Sequence, residues 1–158
     1  MPALRNGDTF PSLDIAAVGG GAISLPGDLA GAFGVVLIYR GAWCPYCNAQ
    51  LAAFSRAGEK LSELGVKLVA LSVDDLATSA ALVEKHRLAF PVGYGANADA
   101  VAAATGAYTN DNPRYLQSTG FVLDPDGKVI TGVYSTAAIG RLVPDDVAGF
   151  VSFVKSHK

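Results

Sequence analysis

The sequence is short of the residues that most polar partners require. Asp, Glu, Lys and Arg together make up 16% of its 158 residues and leave a formal net charge of −2. That balance gives no attraction to nucleic acid or to an anionic membrane surface, and no run of like charges forms an interaction tail. Long apolar runs are also missing. The longest is Val35-Val36-Leu37-Ile38-Tyr39, far short of the roughly 20 residues that span a bilayer. No apolar segment follows Arg5 near the start, so a secretory signal is not expected and the chain reads as soluble and cytoplasmic. Histidine occurs only as His86 and His157. Together with the cysteines they are a poor set for a structural zinc, which needs four ligands. Cysteine occurs only as Cys44 and Cys47, which excludes a disulfide framework.

Apolar residues, by contrast, make up 51% of the chain. That is enough for a sizeable core, so disorder is excluded. The length fits one domain, here residues 1–158. Strand-like and helix-like segments alternate. Residues 13–18 and 22–25 read as a hairpin around Gly19-Gly20-Gly21. Residues 35–39 read as a central strand buried on both faces. Residues 45–64 read as one helix with Pro45 in its first turn and Gly65 as its stop. A second buried strand spans 66–73, and Asp74 or Asp75 opens the next helix. A short extended piece at 90–92 precedes an alanine-rich helix at 97–105, and 106–117 reads as a polar loop. Residues 121–123 and 129–134 form a hairpin around Asp124-Pro125-Asp126-Gly127, and Pro144 opens the last helix. The order predicts an α/β domain with a mixed sheet and helices packed over it.

The chemistry concentrates in YRGAWCPYC, residues 39–47. Cys44 falls where a buried strand ends and a helix begins. Unpaired N–H groups and the helix dipole favour negative charge there, so the thiol ionises readily. Cys47 lies one turn further on the same helix face, so the two sulfurs can meet. Cys44 is expected to be the nucleophile and the more exposed, more acidic thiol, with Cys47 as the resolving thiol. Pro45 stiffens the turn between them. Arg40, at the strand's end, is either a partner of the thiolate and of acidic substrates or a solvated charge. Trp43 is a shield or substrate platform, or a packing residue. Tyr46 is expected to be exposed. His86 reads as a surface or capping residue rather than a general base.

Several stretches resemble the thioredoxin-like superfamily, and within it the alkyl hydroperoxide reductase/thiol-specific antioxidant family of peroxiredoxin-like redoxins. GDTFPSLDI is similar to that family's opening, VVLIYRGAWCPYC to its central strand and active-site turn, and KLVALSVDD to its second strand. GFVLDPDGKVI is similar to its late hairpin and IGRLVPDDVAGFV to its last helix. The resemblance implies a thioredoxin-like fold with helices on both faces of the sheet and an N-terminal hairpin extension. It implies a thiol-disulfide oxidoreductase cycling a Cys44–Cys47 dithiol and disulfide without a bound cofactor. Its reductant would be a small thiol or a thioredoxin- or glutaredoxin-type protein and its substrate a disulfide or a peroxide, with homodimer formation left open.

The chain departs from the family's Pro-x-x-x-Thr-x-x-Cys pattern. Leu37 stands at the proline position and Gly41 at the threonine position. The family's later arginine, expected near Ser118, is absent, as is the thioredoxin cis-proline in Gln117-Ser118-Thr119-Gly120. On motif grounds this predicts slower reaction with hydrogen peroxide and measurable reduction of small disulfides, unless Arg40 or Arg141 supplies the missing charge. Two further readings stand beside the enzyme. One is a redox sensor or binding module switched by the same disulfide. The other is a glutaredoxin-like reductase of glutathione mixed disulfides, suggested by Cys-Pro-Tyr-Cys although the Thr-Val-Pro segment of glutaredoxins is lacking.

Overall fold

The computed structural model describes residues 3–157. The chain runs β1 (Leu13–Ala16), β2 (Ala22–Leu25), a 3-10 turn (Gly27–Leu29), β3 (Phe33–Ile38), α1 (Pro45–Arg56), α2 (Gly58–Glu63), β4 (Val66–Leu71) and α3 (Leu76–His86). It continues with β5 (Val92–Gly93), α4 (Ala98–Thr105), β6 (Thr109–Asn110), β7 (Tyr115–Leu116), β8 (Thr119–Leu123), β9 (Val129–Tyr134) and α5 (Pro144–Ser156).

Five strands make the central sheet in the order β5-β4-β3-β8-β9. The β3–β4 and β4–β5 pairs are parallel, as helical crossovers require. The β3–β8 and β8–β9 pairs are antiparallel. The β8–β9 turn is held by Asp124, whose Oδ1 accepts from the N–H groups of Asp126 and Lys128. Strand side chains alternate between faces, and every residue of β3 is buried. Phe33, Val35 and Leu37 therefore meet one core, with Leu51 and Phe54 of α1, Leu61 of α2, Leu82 of α3 and Val151 of α5. Val36 and Ile38 meet the other, with Ile15, Ile23 and Leu25 of the N-terminal hairpin and Ala98 and Val101 of α4. This is the thioredoxin-like arrangement expected, with the β1–β2 hairpin laid over the α4 side.

The single helix expected at 45–64 is two. Ala57 leaves the helical region at φ −87° and ψ 2°, and Gly58, a poor helix former, begins α2. The break lets Leu61 enter the core. The loop at 106–117 contains a short hairpin, β6–β7, fixed by Gln117 N–H donating to Tyr108 O at 2.8 Å and Asn110 Nδ2 donating to Pro113 O at 2.8 Å. Among the described residues the cis X-Pro bonds are Leu25–Pro26 and Asn112–Pro113, and both lie outside Gln117–Gly120.

Candidate active site

At the carboxyl end of β3 the chain turns through Arg40-Gly41-Ala42-Trp43 into α1. Cys44 is the N-cap of that helix, with extended backbone at φ −89° and ψ 114°, and Pro45 fills the first helical position. A helix start leaves N–H groups without intrahelical partners. Here one of them, on Cys47, donates to Cys44 Sγ at 3.3 Å. The sulfur thus does the work that a serine or aspartate oxygen does at most helix starts. Cys47 Sγ, one turn along, accepts from the Arg40 N–H at 3.4 Å and from Arg141 Nη2 at 3.5 Å.

Arg40 reaches over Cys44. Its Nη1 lies 3.8 Å from Cys44 Sγ, Nε donates to Gln117 Oε1 at 2.9 Å and Nη2 donates to the Tyr115 hydroxyl at 3.1 Å. Its guanidinium carbon lies 4.8 Å from the Trp43 ring centre and 5.4 Å from that of Tyr115. The two rings meet edge to face at 4.9 Å. Such cation–ring contacts hold a guanidinium in one orientation. Trp43 is 55% exposed and Tyr46, on the first turn of α1, is 54% exposed.

The expectation that Cys44 is the more exposed thiol fails: both cysteines have 0% exposure. The Arg40–Trp43–Tyr115 cluster lies against the helix start that carries Cys44. The order of acidities follows the electrostatics. Burial pushes the Cys44 thiol up. The Cys47 thiol and N–H, the Arg40 guanidinium and the Arg141 charge outweigh it, holding Cys44 below the ordinary thiol range. Burial and the hydrogen bond that the Cys47 thiol gives to Cys44 push Cys47 above it, against the opposing effects of the Arg40 N–H and Arg141.

The turn itself is anchored from three sides. Ala42 N–H donates to Asp74 Oδ2 at 2.8 Å. Asn48 Nδ2 donates to the carbonyls of Ala42 and Cys44, each at 2.8 Å. That amide nitrogen is fully committed, so Asn48 Oδ1, 2.6 Å from His86 Nε2, accepts a hydrogen bond from the ring N–H. His86, part-buried, thus supports the turn through Asn48. Asp74, half-buried at the end of β4, is pushed up by burial and by Asp75, against the Ala42 N–H.

Sequence reading missed Asn48 and Gln50, which follow the pair on α1, and Asp74, Tyr115 and Gln117, which come from segments remote in the chain. Gln117 was the nearest to being found, since it adjoins Ser118, where the family pattern expects an arginine. Arg141 does fold back to the site. Gly120 explains why: a Cβ there would lie 2.8 Å from Leu142 Cδ1. Leu142 docks on β8 in that space, and its neighbour Arg141 is carried to Cys47. At Gly41, a Cβ would fall 2.3 Å from Trp43 Nε1, so the indole occupies the space a threonine side chain would need.

The AhpC/TSA family model matches residues 6–131. The chain belongs to the AhpC/TSA family. It is 31% identical over 164 residues to a peroxiredoxin of Treponema denticola, covering 100% of this chain and 76% of that protein. A peroxiredoxin of Chlorobaculum tepidum is 33% identical over 147 residues, covering 89% of this chain and 67% of the other. Among solved structures, AhpC of Mycobacterium bovis superposes with a TM-score of 0.85 at 19% identity, covering 100% of this chain and 96% of that one; this likeness speaks for the fold. Membership makes the chain a thiol-dependent oxidoreductase, and the cysteine pair lies within the residues the family model matches. Among the described residues, no helix is long and apolar enough to cross a membrane.

Proposed function

We propose that the chain reduces hydroperoxides and small disulfides through one dithiol cycle, with Cys44 as nucleophile and Cys47 as resolving thiol. The observation that carries the reading is the pair of donors on Cys44 Sγ, the Cys47 N–H at 3.3 Å and the Arg40 guanidinium at 3.8 Å. Both favour the thiolate, which is the attacking species. The Cys44 thiolate attacks one peroxide oxygen. An S–O bond forms, the O–O bond breaks and the alcohol or water departs with a proton. Arg40 stands where charge develops on the leaving oxygen, the role that preorganised donors serve in such steps. Cys47 then attacks the sulfenic sulfur, releasing water and leaving a Cys44–Cys47 disulfide. Two electrons from a small thiol or a thioredoxin- or glutaredoxin-type protein restore the dithiol. No bound cofactor takes part, and a reducing compartment such as the cytoplasm suits the cycle.

The peroxide half of the reading draws on the names of the curated relatives, both peroxiredoxins, and on Arg40 supplying a cation that motif comparison alone found missing. The disulfide half draws on the spacing: the resolving sulfur lies one turn away on the same helix, so a mixed disulfide at Cys44 is resolved without a second chain. Tyr46 and Trp43, both exposed beside the pair, offer a surface for either substrate or for the reductant. The test compares hydrogen peroxide, an alkyl hydroperoxide and a mixed disulfide as oxidants of the pre-reduced protein, followed by Trp43 fluorescence, with sustained turnover measured under thiol reductant. An enzyme turns over repeatedly with at least one of them. Oxidation without sustained turnover under thiol reductant would replace this reading with the redox-sensor one.

A further inference from the structure

Resting on the dithiol cycle above, we propose that Arg141 is a catalytic residue of its reductive half. Its guanidinium stabilises Cys47 as the departing thiolate when a reductant attacks the disulfide at Cys44.

Each sulfur is in direct contact with a different cation. Arg40 Nη1 faces Cys44, and Arg141 Nη2 lies 3.5 Å from Cys47. The second contact is built. Arg141 Nη1 donates to Gln50 Oε1 at 2.6 Å, while Nε and Nη2 donate to Ala138 O at 3.0 and 2.5 Å. Gln50 is itself buried and donates through Nε2 to Leu142 O at 2.9 Å. Gln50 thus joins α1, which carries Cys47, to the segment that carries Arg141. Among the described residues the ion pairs are those of Arg114 with Asp99 and Asp111. The hydrogen-bond partners of Arg141 are neutral apart from one group able to become an anion, the Cys47 sulfur.

The chemistry of reduction needs such a charge. A reductant thiolate donates its electron pair to Cys44 Sγ, forming a mixed disulfide. The Sγ–Sγ bond breaks and its pair goes to Cys47, which takes up a proton afterwards. A second reductant thiolate then attacks the reductant sulfur of the mixed disulfide and releases Cys44. The reductant leaves as a disulfide and the protein has gained two electrons. Thiols of low pKa leave faster, and burial makes Cys47 the poorer leaving group of the pair. Cys44, the sulfur that the cycle above joins to substrate, is also the one the reductant attacks, at the N-cap beside the exposed Trp43 and Tyr46. Attack there forces the poor leaving group to depart. A guanidinium already in hydrogen-bond range of that sulfur offsets the handicap without moving. The first attack on peroxide breaks no bond to Cys47 and develops no charge on it; there Arg141 acts only through its charge on Cys44, beside the Cys47 donors and Arg40.

The test uses the full chain and Arg141→Met, with Arg141→Lys as the conservative variant. Each protein is oxidised with one equivalent of hydrogen peroxide, the Cys44–Cys47 disulfide is verified by mass, and reduction by dithiothreitol is followed in stopped flow. Loss of a charge-assisted contact predicts reduction of Arg141→Met about tenfold slower, and the first attack on peroxide, read separately in a Cys47→Ser background, slowed by clearly less, about two- to threefold. Arg141→Lys recovers part of the loss. A purely tethering role for Arg141 predicts equal slowing of both half-reactions or no recovery by lysine, and either result overturns the proposal. So does a reduction rate equal to the parent's. If the parent itself forms no internal disulfide, the dithiol cycle fails, and this proposal with it.

Discussion

Replacing Arg40 by methionine removes a positive charge whose nearest nitrogen lies 3.8 Å from the Cys44 sulfur, while keeping a stem of similar length against Trp43 and Tyr115. Two unit charges about 4 Å apart interact by ~1 kcal/mol in water and ~4 kcal/mol at the effective dielectric near a protein surface. Arg40 is only half-buried, so the lower part of that range applies, about 1–2 kcal/mol. At about 1.4 kcal/mol per decade the Cys44 thiolate fraction falls roughly 5- to 30-fold at pH values well below the thiol's own. The rate of alkylation does not fall by the whole factor. A more basic thiolate is intrinsically more nucleophilic, with a Brønsted slope of about 0.4–0.5. The variant should therefore react about two- to eightfold more slowly at mildly acid pH and about two- to fivefold faster once both proteins are fully ionised. The pH–rate curves cross. The assay is iodoacetamide alkylation of the reduced proteins in a Cys47→Ser background, where the serine hydroxyl still donates to Cys44 and no second thiol reacts. Superimposable curves would refute the argument and assign the thiolate to the helix start and the Cys47 N–H alone. A uniform slowing at every pH would mean that Arg40 guides the reagent and leaves ionisation alone.

Cys44→Ser should abolish turnover, whereas Cys47→Ser should complete the first attack and stop at a sulfenic acid or mixed disulfide, both seen by mass. If mildly acid alkylation of the reduced parent labels Cys47 before Cys44, the roles are reversed. Gly41→Thr restores the family's residue in the wrong surroundings. Its Cβ, 2.3 Å from Trp43 Nε1, expels the indole, so a shift in tryptophan emission and no gain in peroxide rate are expected; a faster peroxide reaction with unchanged emission would contradict this. Asp74→Asn keeps an acceptor for the Ala42 N–H. Because burial raises the Asp74 pKa, its contribution to stability is complete below the unfolded carboxylate value and is lost as pH rises through the folded one. The variant should therefore melt higher than the parent at neutral pH and match it in strong acid. A parent that melts higher at neutral pH would show that the charge on Asp74 serves the turn.

The sheet, its two faces and the place of the cysteines were legible because each rests on a local pattern. The run at 35–39 has the length and branching of a buried strand, Pro45 marks a first helical turn, and Asp124-Pro125-Asp126-Gly127 names its own turn. Expectation and structure part where tertiary contacts decide. Ala57 and Gly58 break a helix whose apolar spacing continues, and Leu61 beyond the break is buried in the core. Tyr115 and Leu116 pair with 109–110 inside a segment polar enough to pass for a loop. The exposure of Cys44 was misjudged for the same reason. A helix start is open when considered alone, and only the folded chain lays Arg40, Trp43 and Tyr115 against it.

The charges at the site carry that reasoning further. Peroxide and disulfide chemistry need positive charge at points in space, and a motif records it only as a residue at a place in the chain. Ser118 is the wrong residue at the expected place, yet Gln117 beside it holds Arg40 by its Nε, turning a strand-end cation onto Cys44. Arg141 reaches Cys47 from the segment between β9 and α5, and nothing within that segment announces it. Its position depends on the missing Cβ of Gly120, two strand positions after Ser118, where Leu142 seats. Arg40 and Arg141 are thus each set by a neutral residue of the stretch 117–120. The stretch that lacks both the expected arginine and the thioredoxin cis-proline is the one that aims the cations the site does have.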